Sequence, residues 1–206
     1  MSINVLERVE KTSYTLEEYL EREETALYKS EYQNGKLIAM AGETVPHSRI
    51  GGNAYFYFRT AIKASKKNGE AFSNDEKIYL PELKQVVYAD SFVVLGDVDI
   101  HPSGNQLVTN PTLVVEVLSQ STTGYDRGEK FRKYQTLPSF QEYVLIDQNQ
   151  PIVDVLYKEE NLTWRLKTYI GLEETLQLKS IGLTIKMEDL YENVKNLQAP
   201  QFKLPV

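Results

Sequence analysis

The run Leu113-Val114-Val115-Glu116-Val117-Leu118 constrains this chain more than any other segment. All but one of its residues are aliphatic and there is no polar alternation, the signature of a strand covered on both faces. Such a strand needs a layer on each side, so it points to a sheet flanked by helices. The exception is a carboxylate. An acid in such a run is expensive to bury unless it is paired, bound to a cation or neutralised by a proton. Alternation puts Glu116 on the face of Val114 and Leu118. The plain alternative is an acid near the strand's end that caps the next loop or pairs with an arginine.

The other elements suit that layering. Thr15 and Glu18 form a capping box for a short helix to about Arg22. Residues 28–33 and 36–40 flank Asn34-Gly35, which supplies the two positive-φ positions of a type I′ hairpin. Pro46 suits the start of a helix to about Asn68. Ile50, Ala54, Tyr57, Ala61 and Ile62 recur there at helical spacing, with Gly69 as the stop. Residues 71–80 and 86–95 read as two strands, followed by a turn over 101–105. After the 113–118 strand and a loop over 119–124, a helix is expected over 126–137, opened by Asp126 with Glu129. A second buried strand follows at 143–147, then an antiparallel pair at 152–157 and 162–170, a strand at 175–178 and a short helix at 187–192. The alternating apolar residues of 152–170 offer a face for a homodimer. The order predicts one α/β domain over 1–193, a mixed sheet flanked by helices with added antiparallel strands, and a loosely ordered tail over 194–206.

Composition removes several function classes. With no cysteine in 206 residues, disulfides, thiolate catalysis and zinc–cysteine sites are excluded. The only histidines are His47 and His101; two so placed do not make a zinc site. No run of 18 apolar residues occurs and the N-terminal stretch lacks a signal-peptide core, so a cytoplasmic protein without membrane contact is expected. There is no P-loop, GxGxxG or GxSxG. A net charge of -6 argues against a surface that grips nucleic acid everywhere, but leaves room for a local basic patch.

Two further features bear on chemistry. Asp90 is an acid inside the apolar run 86–95, on the face of Tyr88 and Phe92. With Glu116 on a neighbouring strand it could hold a hard divalent cation; alternatively it lies on an edge strand and meets water. The helix from Asp126 places Lys130, Lys133 and Tyr134 on one face. Facing the two acids, Lys130 would set an ammonium where charge develops on a phosphate or an attacking water. The competing reading is a solvated Asp126–Lys130 pair at i, i+4. Arg127, Arg132 and Lys133, close in sequence to Lys130, make a candidate basic face for DNA. His47 is a candidate site residue or a polar residue at a helix start.

These residues carry a resemblance. The stretch Glu31-Tyr32-Gln33-Asn34-Gly35-Lys36-Leu37, then His47, Asp90, Glu116-Val117-Leu118-Ser119, Asp126-Arg127-Gly128-Glu129-Lys130 and Glu142-Tyr143-Val144-Leu145-Ile146-Asp147 is similar to the "putative restriction endonuclease" family abundant in cyanobacteria, of the PD-(D/E)xK nuclease superfamily. It covers roughly residues 12–190. The resemblance implies a restriction-endonuclease-like fold and a Mg²⁺- or Mn²⁺-dependent endonuclease acting on DNA. Asp90 and Glu116 would bind the cation, helped by the Val117 carbonyl. The lysine expected two residues after the glutamate is replaced by Leu118, and Lys130 takes its place from the following helix. Glu31 and His47 would be accessory. Ala89 stands for the motif's proline, which shapes backbone and binds nothing. A catalytically silent nuclease-fold module that binds nucleic acid or protein is the rival from another class.

Overall fold

The computed structural model describes residues 12–104, 107–120 and 122–200. Helix α1 (Leu16–Glu23) opens with both bonds of the expected capping box, between Thr15 and Glu18. Strands β1 (Ser30–Gln33) and β2 (Lys36–Ala39) form the expected hairpin, with Asn34 at φ 48° and Gly35 at φ 95°. The positive φ is what calls for glycine at Gly35; a Cβ there would meet Ser13 Oγ at 2.5 Å, a side-chain end that can turn away. Helix α2 (Val45–Ser65) is capped by Thr44, whose hydroxyl accepts from the His47 amide at 3.3 Å. It ends at Lys66 in the left-handed region, and Gly69 begins the next strand instead of stopping the helix.

The two strands expected at 71–80 and 86–95 are each broken. β3 (Gly69–Ser73) is separated from β4 (Lys77–Leu80) by the 74–76 turn, and β5 (Gln85–Tyr88) from β6 (Ser91–Leu95) by Ala89-Asp90. At each break the chain passes from one sheet to another. Asp90 therefore sits at a corner, not within a strand. The apolar pattern runs through the second break because the residues on both sides are buried, so periodicity alone does not mark it.

β7 (Leu107–Val108) precedes β8 (Leu113–Leu118), the expected two-faced strand. A helical segment follows: α3 (Thr123–Tyr125), a π-helical turn over Asp126–Lys130, and α4 (Phe131–Tyr134). Asp126 thus lies inside the helix and does not cap it. Then come β9 (Glu142–Asp147), β10 (Ile152–Lys158), β11 (Trp164–Ile170), the expected β12 (Thr175–Leu178) paired in a hairpin with an unforeseen β13 (Leu183–Lys186), and α5 (Met187–Leu190).

A five-stranded sheet has the order β2-β1-β5-β4-β7 and a six-stranded sheet the order β11-β10-β9-β8-β6-β3. Both are mixed, through the parallel pairs β4–β7 and β8–β9. In β8, Leu113, Val115 and Val117 share a core with Ile50, Ala54 and Phe58 of α2. Val114 and Leu118 share another with Tyr134, Phe140 and Tyr143. The second face is the one Glu116 occupies. β11 is an edge strand with Leu166 exposed. The 194–206 tail, expected to be loose, carries contacts at its start: Val194 and Leu197 pack on the core and the Gln198 amide donates to Asn149 O at 2.8 Å. Residues 201–206 of that tail and Asn105 of the expected turn lie outside the described residues.

Candidate functional site

Glu116 is buried, and alternation along β8 aims it at the helix that follows. Its Oε2 accepts from Lys130 Nζ at 2.8 Å and its Oε1 from Tyr134 Oη at 2.8 Å. The four-residue spacing of Lys130 and Tyr134 puts both on one face, as expected. Lys130 is buried too, with Asp126 Oδ1 at 3.8 Å and Glu31 Oε1 at 3.9 Å from its ammonium. The Asp126–Lys130 pair is therefore an interior one, not a solvated surface pair.

Asp90 reaches the same place from the corner between β5 and β6. Its backbone N–H donates to Val115 O at 3.1 Å, continuing the ladder of β8 for one more residue. Its Oδ2 accepts from the Val117 amide and its Oδ1 lies 2.8 Å from His47 Nε2. In an extended strand a residue's N–H and C=O leave on the same edge, so the Val117 carbonyl also faces the Asp90 side. His47 stands in the first turn of α2, where the Thr44 cap fixes the entry of the helix. Glu31, on β1 of the other sheet, accepts from Tyr125 Oη at 3.0 Å. The structure thus brings Asp90, Glu116, Lys130, Glu31 and His47 to one cleft of about 380 Å³.

The basic face is largely absent. Arg127 is ion-paired with Asp154, which also accepts from Thr168. Lys133 is buried, its ammonium 2.9 Å from Glu129 Oε1 and 3.0 Å from Tyr125 Oη. Of the three residues expected to meet DNA, Arg132 alone is exposed without an ion pair among the described residues.

Sequence reasoning missed several residues at the site. Tyr125 and Asp126 line the cleft and Tyr134 orients Glu116. Glu43 is a further one: a ligand atom each from Glu43, His47 and Asp90 lie within 4.8 Å of one another. Glu43 is held by Asn74 Nδ2 at 2.6 Å and Ser48 Oγ at 2.8 Å. Asn74 belongs to the first inter-sheet turn and Asp90 to the second, so both crossings flank the site. Glu43 lies before the Thr44 cap, outside the helix, so no helical spacing marked it in the sequence.

Burial pushes the Glu116 carboxyl well above its ordinary range; Lys130 opposes this, while Asp126 and Asp90 add to it. Burial likewise raises Asp126, against Lys130. Burial alone would lower Lys130, but Glu116, Glu31 and Asp126 outweigh it and hold the ammonium charged. Burial would also lower His47, and its hydrogen bond to Asp90 together with the Asp90 charge turns the shift upward. The common cause is plain: three carboxyl groups (Glu116, Glu31 and Asp126) act on one buried ammonium and Asp90 adds its charge at Glu116, a negative excess that favours a proton or a cation.

A two-sheet α/β fold with an acid–lysine pair on a central strand and its following helix is that of a restriction-endonuclease-like protein. The chain belongs to the Uma2 family, described as "Putative restriction endonuclease", whose model matches residues 16–188. It is 34% identical over 157 residues to "Uncharacterized protein sll1609" of Synechocystis sp., covering 76% of this chain and 88% of that one. It is also 34% identical over 178 residues to slr1290 of the same organism, covering 86% and 91%. Among solved structures, a "putative nuclease belonging to DUF820" from Anabaena variabilis has the same fold, with a TM-score of 0.66 and 19% identity over 86% of this chain and 97% of that one. No helix among the described residues is long and apolar enough to cross a membrane.

Proposed function

We propose that this protein is a Mg²⁺-dependent endonuclease that hydrolyses DNA phosphodiester bonds, with Asp90 and Glu116 as cation ligands and Lys130 as the catalytic cation of the protein itself. The observation that carries this reading is the buried Lys130–Glu116 contact of 2.8 Å in a cleft shared with Asp90. The donor set fits a hard cation. It is composed of carboxylate oxygens, and each oxygen of Asp90 and Glu116 described with one hydrogen bond retains a second lone pair. The excess of carboxylates over ammonium groups gives such a cation something to neutralise. His47 Nε2 and Glu43 extend the donors on the far side of Asp90.

A divalent cation held there would supply a Lewis acid for the scissile phosphate and lower the pKa of a water. The chain's own residues do the rest. Tyr134 fixes the Glu116 carboxylate plane, and His47 with the Val117 amide fixes that of Asp90. Lys130 presents a permanent positive charge toward the phosphate as negative charge grows on it. Arg132 is the remaining candidate contact to the DNA backbone. The far end of α2 is a poorer one, because Lys63 lies sixteen residues beyond His47, roughly 24 Å along the helix.

One observation favours the rival reading, a silent module: both Glu116 oxygens already have internal donors. Calorimetric titration with Mn²⁺ and a plasmid-cleavage assay in Mg²⁺ decide between the two. Metal binding with cleavage supports the endonuclease; neither one, in a folded protein, supports the module.

A further inference from the structure

Asp126 is buried at the cleft, yet neither cation binding nor helix capping accounts for it. Its Oδ1 stands 3.8 Å from Lys130 Nζ, outside hydrogen-bond distance, and Thr122 is its other partner. Glu31 Oε1 stands at 3.9 Å from the same ammonium. An ammonium has three donors. Lys130 therefore bonds one carboxylate and stands just short of two more.

This arrangement conflicts with cation binding at Glu116. Lys130 is bonded to Glu116 Oε2, so a divalent cation on that carboxylate meets a positive charge already in place. Like charges sharing one carboxylate in the interior repel strongly. The ammonium must turn elsewhere, and leaving it unpaired in a buried position is costly. Asp126 and Glu31 are the available receivers. Glu31 lies on the other sheet and is already held by Tyr125 Oη, which Lys133 also contacts. Asp126 belongs to the same π-helical turn as Lys130, so rotation about the lysine side chain is enough. The turn's backbone stays where the Arg127–Asp154 ion pair anchors it.

We propose that Asp126 is a positioning residue that receives the Lys130 ammonium when Glu116 turns to a cation, and so keeps that ammonium at the cleft. The proposal rests on the reading of Glu116 as a cation ligand. Its consequence is a linkage: Asp126 favours cation binding only by way of Lys130.

A thermodynamic cycle tests this, using calorimetric Mn²⁺ titration of the full chain as wild type, Asp126→Asn, Lys130→Met and the double variant, with thermal melts as a check on folding. Asp126→Asn should weaken Mn²⁺ binding roughly tenfold, the scale of one charge-assisted hydrogen bond. Lys130→Met should bind Mn²⁺ at least as tightly as wild type. Adding Asp126→Asn to Lys130→Met should then change Kd by less than about twofold, since no ammonium remains to be received. Lys130→Gln replaces Lys130→Met in the cycle if the latter fails to fold. Glu31→Gln should have a smaller effect than Asp126→Asn. Equal weakening by Asp126→Asn in both backgrounds would make Asp126 a direct cation ligand and overturn the proposal while leaving the nuclease reading intact. A lowered melting temperature with unchanged Kd, or a larger lysine-dependent effect at Glu31, overturns it as well. Absence of Mn²⁺ binding by the wild type instead removes the reading of the site on which the proposal stands.

Discussion

Lys130 Nζ and Glu116 Oε2 lie 2.8 Å apart although the residues are 14 positions apart in sequence and come from a helical turn and a strand. Tyr134 holds the second oxygen, so Glu116 is oriented from the helix on both sides. A carboxylate fixed this firmly is either a structural anchor or a preorganised ligand, and metal titration separates the two. Asp90→Ala and Glu116→Ala should each abolish Mn²⁺ binding measured by calorimetry, in protein that remains folded. Glu116→Ala leaves the Tyr134 hydroxyl without its acceptor, at a cost of about 1–3 kcal/mol in urea unfolding. Undiminished affinity in either variant rejects the paired assignment.

Lys130→Met should lower single-turnover cleavage by about 10²-fold or more, the scale of losing one group that stabilises developing charge. Lys133→Met should affect the chemical step far less. Its ammonium is turned toward Glu129 and Tyr125, so its loss should appear in stability, on the order of 1 kcal/mol. A larger kinetic effect at Lys133 than at Lys130 would reverse the assignment.

Arg132→Ala should flatten the salt dependence of DNA binding by about one unit of slope, as expected for one lost phosphate contact. Arg127→Ala should leave the slope unchanged and lower the melting temperature, because Asp154 then loses its cation inside the fold. If neither variant alters the slope, DNA lies on another surface.

Glu142 gives a pH test away from the cleft. It is fully buried, and burial raises its carboxyl above the ordinary 4.5 against the opposing bonds from Ser180 and the Lys179 amide. A raised native value means that the folded state holds the proton more tightly than the unfolded state. The stabilisation is therefore complete below the unfolded value and is lost as pH rises through the native one. The stability advantage of wild type over Glu142→Gln should shrink between pH 4 and pH 7 in denaturant titrations. An advantage that grows over that window would mean the hydrogen bonds at Lys179 and Ser180 outweigh burial.

Much of this was legible in the sequence where a local period carried it. Alternation in the 113–118 run placed Glu116 on the correct face, and helical spacing joined Lys130 to Tyr134. Where the period is silent, the reading failed. The break at Ala89-Asp90 lies between two buried half-strands, so nothing in hydrophobicity marks the corner that frees Asp90. The polar Asn74-Asp75-Glu76 was a turn signal at the other break, overridden by the apolar residues around it. Tyr125 and Glu31 are 94 residues apart, and no local pattern encodes such a contact. Asp126 was mistaken for a cap because acids are common at helix starts; the helix begins three residues earlier.

The π-helical turn over Asp126–Lys130 has an evolutionary reading. A turn closed by i→i+5 bonds accommodates an extra residue compared with one closed by i→i+4 bonds. Loss of a single codon within it would let the segment settle into an ordinary α-helix. The residues beyond the turn would keep their orientation, because the turn is where the extra residue is absorbed and an α-helical turn with one residue fewer spans the same rotation. Lys130 and Tyr134 would keep their places on Glu116, while the i, i+4 spacing of Asp126 and Lys130 would shorten to i, i+3. One in-frame deletion there would thus re-space Asp126 from Lys130 without substituting either, and by the same arithmetic one insertion would restore the present spacing.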